Sequence, residues 1–231
     1  MFILNQTSDK YTKTTSQIVL KAFLWLIGLM AVGVILRVIC FAIYMANGIN
    51  PMEIAKFGGD PTTHMSNTTW MTILKLLLVA PLCEEIIFRL GLAFNRKIDA
   101  LWIGILPSIV AIYLLNCKTW CIILALLVVG AVTFYIVYRF TTDEQWKEWR
   151  EKYLKYAVWI TAIAFGLIHL IAMSTISLQL LPFILTTILI PFLGGCAVTY
   201  ARVNLNFFWG VLIHMTINIP GVLVILVSKM A

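Results

Sequence analysis

The chain has 231 residues, of which 61% are hydrophobic and 12% are charged, whereas soluble globular proteins contain about 45–50% apolar and about 25% charged residues. A soluble core of this size cannot bury so many apolar side chains, so the composition excludes an ordinary soluble domain. The formal charge of +7 does not indicate nucleic acid as a partner, because the basic residues cluster in short loops and act as orientation signals for a membrane protein.

Apolar stretches recur along the whole chain, and most are long enough to cross about 30 Å of hydrocarbon as a helix. No alternating pattern typical of barrel strands competes with this interpretation. We therefore predict an all-α, polytopic membrane bundle of about seven transmembrane helices. The stretches are residues 18–45, 70–94, 100–115, 120–138, 156–173, 177–200 and 207–227.

The chain divides into two predicted parts: residues 1–69 hold a polar tail, the first transmembrane helix and a long connection, and residues 70–231 form the core. The first apolar stretch is too long for a signal peptide and should persist as a helix. A second long connection, residues 139–155, contains nine charged residues. Its Trp146, Trp149 and Tyr153 suit a short amphipathic helix at the headgroups, or a solvated loop.

Counting the basic residues on each side predicts the orientation. With a cytoplasmic N-terminus, eleven basic residues lie on the cytoplasmic side and at most five lie outside, even if Arg37 and Lys75 extend outward. The positive-inside rule then places the N-terminus inside and the C-terminus outside. The eleven are Lys10, Lys13, Lys21, Arg96, Lys97, Arg139, Lys147, Arg150, Lys152, Lys155 and Arg202.

Two adjacent acids, Glu84 and Glu85, lie inside the second apolar stretch, where one ionised residue costs about 2.5–3.5 kcal/mol on insertion scales. Glu85 and Arg89 are four positions apart, so they share a helix face and can pair. Glu84 lies about 100° around the helix and is left for water or another helix. Pro81 removes a backbone hydrogen bond nearby and should kink the helix. A purely structural ion pair explains Glu85 and Arg89 but leaves Glu84 without a role.

Two histidines also lie within apolar stretches, His169 in the fifth and His214 in the seventh. Each alone could be a helix–helix hydrogen bond. Asn218 follows His214 by four positions, so both side chains lie on one helix face. Phe165 precedes His169 by four positions and could hold the imidazole ring in place.

Depth in the bilayer gives an independent test. Counted from the predicted cytoplasmic helix ends, Glu84, His214 and His169 lie at depths of roughly 15, 11 and 20 Å, at a rise of 1.5 Å per residue. Three helices therefore bring polar residues to neighbouring levels, as a shared site requires.

Such a set of groups favours hydrolysis of a peptide bond. Glu84 can take a proton from water, His169 can hold that water or share the proton, and His214 with Asn218 can stabilise the oxyanion. In a metal variant, Glu84, His169 and His214 would bind a divalent ion such as zinc. Glu84 would then no longer serve as the base, and the HExxH motif is absent, so we favour a metal-free mechanism without a cofactor.

Three short patterns now point to a family. Residues 84–89 match EExxxR, residues 165–169 match FxxxH and residues 214–218 match HxxxN, in that order and on separate helices. Together they resemble the CPBP intramembrane proteases, which include CAAX prenyl endopeptidases and bacterial Abi proteins linked to bacteriocin processing and self-immunity. The resemblance covers about residues 70–223.

By this resemblance, Glu84 activates water, His169 is its partner, His214 and Asn218 are oxyanion donors, and Glu85 with Arg89 forms a supporting pair. Seven crossings instead of the eight of prenyl endopeptidases favour a bacterial Abi-type protein. The resemblance implies a multi-pass plasma-membrane endopeptidase whose substrate is a peptide or membrane protein. Two alternatives stay open: a non-catalytic immunity or regulatory protein on the same scaffold, and a proton or ion transporter.

Overall fold

The structure is a computed structural model that describes residues 13–51, 69–113, 119–173 and 177–230. The described part of the chain contains eight α-helices. They are α1 (Thr15–Ala46), α2 (Thr69–Leu74), α3 (Ala80–Arg89), α4 (Arg96–Tyr113), α5 (Trp120–Phe140), α6 (Asp143–Ile168), α7 (Leu181–Asn204) and α8 (Phe207–Met230). A π-helical segment, Lys75–Val79, joins α2 to α3 without a break.

The all-α membrane class predicted from the composition is confirmed. Five helical segments are long and apolar enough to cross a membrane by length and composition: Thr15–Ala46, Trp120–Phe140, Asp143–Ile171, Leu178–Asn204 and Phe207–Val227. The second apolar stretch is divided by the π-helical segment, and α4 begins with three charged residues in its first turn. Seven crossings therefore stay a prediction.

The second long connection, predicted as a loop or a separate amphipathic helix at residues 139–155, is neither. Residues from Asp143 onward form the first turns of α6, which continues to Ile168. Thr142 caps this helix: its side chain accepts from the Gln145 backbone, and the Gln145 side chain accepts from the Thr142 backbone. This reciprocal cap starts the helix early, so only a tight turn separates α5 from α6.

Part of the N-terminal region lies outside the described residues. This applies to the polar tail at residues 1–12 and to residues 52–68 of the first long connection. The boundary at residue 69 between the two predicted parts is likewise not tested.

Helix α7 forms the centre of the fold. It packs against α1, α6 and α8, and 44% of its apolar window is buried, compared with 11% for α5. Small residues from Gly194 to Ala197 let neighbouring helices approach closely, as small residues do in membrane bundles. Helix α7 therefore lies where the helices that carry the predicted site residues come together.

Helices α4 and α5 pack against each other at two glycines. A Cβ built on Gly130 would lie 2.0 Å from the Gly104 carbonyl oxygen. No side chain larger than hydrogen fits there, so the two backbones are in direct contact.

One end of the bundle gathers the starts of α1, α4, α6 and α8 together with most of the basic residues. We call this end the basic end. Its described basic residues are Lys13, Lys21, Arg96, Lys97, Arg139, Lys147, Arg150, Lys152, Lys155 and Arg202.

Candidate functional site

Glu85 and Arg89 form a buried ion pair on α3. One Arg89 nitrogen donates to Glu85 Oε1, and neither side chain is exposed. The four-residue spacing that predicted this pair places both groups on the same helix face. The pair is present as expected.

Helix α7 and Phe165 hold the Arg89 guanidinium in place. Its Nε donates to Thr199 Oγ1 at 2.9 Å, and Nη2 donates to the Gly195 carbonyl at 3.4 Å. The guanidinium lies over the Phe165 ring, 4.4 Å from its centroid. A Cβ on Gly195 would lie 2.8 Å from Arg89 Nη2, so a glycine is needed where α7 passes the guanidinium.

His214 of α8 contacts both glutamates. Its Nδ1 lies 2.8 Å from Glu85 Oε1, and its Nε2 lies 3.3 Å from Glu84 Oε2. Glu84 therefore points toward α8, in agreement with its predicted direction away from Arg89. His214 is 3% exposed, whereas the Glu84 side chain is 19% exposed. Of the two carboxylates, that of Glu84 is partly exposed, whereas the Glu85 side chain is fully buried.

The geometry around His214 requires a proton between its Nε2 and Glu84. Glu85 is paired with Arg89, so its carboxylate accepts and His214 Nδ1 donates. If Nε2 and Glu84 Oε2 were both unprotonated, two lone pairs would face each other at 3.3 Å and repel. One proton, on the imidazole or on the carboxyl, removes this repulsion.

Phe165 of α6 lies between the two histidines. Its ring makes edge contacts with His169 and His214, with centroid distances of 5.0 and 5.4 Å, and the residue is 2% exposed. The expectation that Phe165 supports His169 agrees with this contact, and the contact with His214 is an additional one.

The tautomer of His169 follows from its backbone contact. Its Nδ1 lies 2.8 Å from the Phe165 carbonyl oxygen. A carbonyl can only accept, so Nδ1 carries the proton and Nε2 of the neutral ring is an acceptor.

Asn218 of α8 binds the π-helical segment. Its Nδ2 donates to the Leu76 carbonyl at 2.8 Å. In this segment Ala80 donates to the carbonyl five residues earlier, that of Lys75. The next donor in that register would be Pro81, which has no N–H, so the Leu76 carbonyl loses its partner within the helix. Asn218 supplies the missing donor, a role that sequence spacing did not predict.

A single cavity brings these groups together. It has a volume of about 220 Å³ and is lined by Glu84, Phe165, His169, His214 and Asn218. Liquid water takes about 30 Å³ per molecule and prefers polar walls, so this cavity is large and polar enough for water. The predicted catalytic residues of α3, of α8 and of the 3₁₀ turn His169–Ala172 that follows α6 therefore line one space, while Glu85 and Arg89 lie behind His214.

The side chains do not form a zinc site. Among the described residues, no group of three or more His, Cys, Asp or Glu side chains is placed to hold a metal ion. A three-ligand site needs Glu84, His169 and His214 to turn lone pairs toward one point. Here His214 turns one nitrogen toward Glu85 and the other toward Glu84. His214 Nε2 and Glu84 Oε2 face each other, but among the described residues no third His, Cys, Asp or Glu joins them, so Glu84, His169 and His214 are not assembled as a three-ligand site.

Two polar residues that support the site were not singled out from the sequence. Arg202 of α7, counted there only as a basic loop residue, donates from Nε to the Arg89 carbonyl and from Nη2 to the Leu90 carbonyl, both at 3.2 Å. Trp102 of α4 donates from Nε1 to the Ile86 carbonyl at 2.7 Å. The position of Arg202 was the sequence signal that could have identified it: it is an arginine at the end of a helix rich in small residues.

Comparisons of the chain with models of protein families, with curated proteins and with solved structures found no match. The resemblance to the CPBP proteases therefore stays a prediction that depends on the three motifs.

Proposed function

We propose that this chain is an intramembrane endopeptidase of the CPBP type, with Glu84 as the residue that activates water. One observation supports the proposal: each of the three motifs contributes a polar side chain to the same cavity, which is lined by Glu84, His169, His214 and Asn218. Residues that served only as isolated helix–helix contacts would have no reason to share a cavity. The motif order EExxxR, FxxxH and HxxxN supports the family assignment.

In the first step of this mechanism, Glu84 takes a proton from water as the water oxygen attacks the carbonyl carbon of the scissile peptide bond. His214 supports Glu84 by holding the proton of their pair on its own Nε2. An imidazolium there lies between two carboxylates, and the second of these, Glu85, is balanced by Arg89. The positive charges of His214 and Arg89 would thus balance those of the two carboxylates.

His169 and Asn218 act on the substrate side of the cavity. The unprotonated Nε2 of His169 can accept a hydrogen bond from the attacking water and hold it beside Glu84. One N–H of the Asn218 amide donates to the Leu76 carbonyl. Its second N–H can stabilise the oxyanion. The proton taken by Glu84 then passes to the leaving amine as the C–N bond breaks. His214 can also act as an oxyanion donor only if its Nε2 leaves Glu84.

We further propose seven crossings with the N-terminus in the cytoplasm and the C-terminus outside. The segment from Thr69 to Arg89 and helix α4 would be the two crossings added to the five apolar helices. The basic end then faces the cytoplasm of a bacterial cell, in accord with the positive-inside rule. A peptide or a membrane-associated protein would be the substrate.

A peptide-cleavage assay with Glu84→Gln tests the proposal. The amide keeps the size of the side chain but cannot take the proton, so we expect the cleavage rate to fall by about 10²–10⁴-fold, the range for a general base. Glu148→Gln is the matched control, because Glu148 is exposed on α6. Both variants should insert and fold normally. Undiminished cleavage by Glu84→Gln would reject the assignment.

A second candidate is a non-catalytic immunity or regulatory protein on the same scaffold. It is favoured by the contacts of His214 with both glutamates, since an ion-pair network can serve stability alone. A double variant, Glu84→Gln with His169→Gln, separates the two functions in cells. A preserved phenotype supports the contact-based function, and a lost phenotype with normal protein levels supports proteolysis.

A further inference from the structure

A second cavity lies at the basic end, apart from the site on α3, α6 and α8. It has a volume of about 400 Å³ and opens between the end of α3, the start of α4 and the turn from α7 to α8. Arg150 and Arg202 both line it. Much of the remaining lining is apolar and includes Phe207 and Phe208, and Phe208 is 74% exposed. Basic residues thus lie beside apolar ones where α8, a candidate membrane span, begins.

Arg202 is fixed in this cavity before any ligand binds. It is 8% exposed, and its Nε and Nη2 donate to the last carbonyls of α3, at Arg89 and Leu90. These bonds complete the helix end and hold the guanidinium plane in one orientation. A pre-oriented guanidinium loses little entropy when it binds an anion.

The charges around the cavity do not balance. Arg150 and Arg202 line the cavity, and no Asp or Glu is among its described lining residues. Glu85 is bound to Arg89, and Asp99 lies near Arg202 and accepts from the Asn95 backbone at 2.6 Å. Arg150 therefore carries the positive charge that these carboxylates do not balance.

Arg150 makes no ion pair with a carboxylate of any residue that the structure describes. It lines the same cavity as Arg202, so the two positive charges repel each other. An anion between the two guanidiniums would convert this repulsion into attraction.

We propose that this cavity binds the phosphate of an anionic phospholipid headgroup. Arg150 and Arg202 would each donate to phosphate oxygens, and forked guanidiniums suit that geometry. Phe207 and Phe208 would contact the first part of an acyl chain. Basic pockets between helices at the cytoplasmic surface are known to bind anionic headgroups. The cavity has both features that such a lipid needs, basic residues for the phosphate and apolar residues for the acyl chain.

Native mass spectrometry of the purified full-length chain, titrated with phosphatidylglycerol or phosphatidylcholine, tests the proposal. We expect the unmodified protein to retain one phosphatidylglycerol in preference to phosphatidylcholine. Arg150→Gln should weaken that binding about tenfold or more, because a charged hydrogen bond contributes at least about a factor of ten. Arg139→Gln is the control, since Arg139 is exposed at the same end and lies outside the cavity.

Each outcome decides the proposal. Equal retention of the two lipids, or equal loss of binding in Arg150→Gln and Arg139→Gln, would overturn it. An arm with inorganic phosphate distinguishes the source of the phosphate: displacement of the lipid by equimolar inorganic phosphate would mean that the site serves a soluble anion and would also overturn it. Both variants change exposed or half-buried residues of α5 and α6, so circular dichroism should show unchanged helix content.

Discussion

Replacing Arg89 by methionine removes the positive charge of the buried pair and leaves Glu85 with His214 as its remaining partner. Arg89 also donates to Thr199 Oγ1 at 2.9 Å and to the Gly195 carbonyl. Because Glu85 and Arg89 are both 0% exposed, water cannot replace the lost contacts. Breaking a buried pair in this way costs about 3–5 kcal/mol in free energy of unfolding.

Titration of the purified protein in mixed micelles with sodium dodecyl sulfate, followed by circular dichroism, measures this loss. The double variant with Glu85→Gln and Arg89→Met removes both charges, so it should be more stable than Arg89→Met alone. Arg139→Gln, an exposed arginine on α5, should change stability by less than about 0.5 kcal/mol. If Arg89→Met cost no more than Arg139→Gln, the description of a desolvated ion pair would be refuted.

Three further predictions concern the surroundings of the cavity. Asn218→Leu leaves the Leu76 carbonyl without its donor and should cost about 1–3 kcal/mol of unfolding free energy, measured by the same titration; no change would show that the π-helical segment does not need this bond. Gly195→Ala places a Cβ 2.8 Å from the Arg89 guanidinium and should destabilise by about 1–3 kcal/mol, while Gly28→Ala, with nothing within 4 Å, should not destabilise. Dialysis against a metal chelator should leave peptide cleavage unchanged, and a loss restored by zinc would contradict the metal-free mechanism.

The sequence was sufficient to predict most of the helices and the polar residues that line the cavity. Apolar stretches predicted α1, α5, α7 and α8 nearly to their ends, because membrane helices must satisfy their backbone bonds internally. Charged residues misled the prediction at residues 139–155, where α6 begins outside the apolar stretch. The reciprocal cap between Thr142 and Gln145 was the available signal for that start.

The pairing of side chains across helices was harder to predict than their presence. Spacing along one helix predicted the contact of Glu85 with Arg89 and that of Phe165 with His169. It could not show that His214 contacts both glutamates, since this depends on how α8 is rotated against α3. The hydrogen bond from Asn218 to the Leu76 carbonyl depends on a π-helical register. The missing N–H of Pro81 is the only feature of the sequence that indicates this register.

An experimental structure in a lipid nanodisc, at a resolution that shows ordered water, tests the central idea most directly. We predict that Glu84 Oε2 lies close to the 3.3 Å found here from His214 Nε2, with a water molecule in contact with both Glu84 and His169. A Glu84 carboxylate that faces lipid, or one more than about 6 Å from His214, beyond the span of one bridging water, would contradict the account.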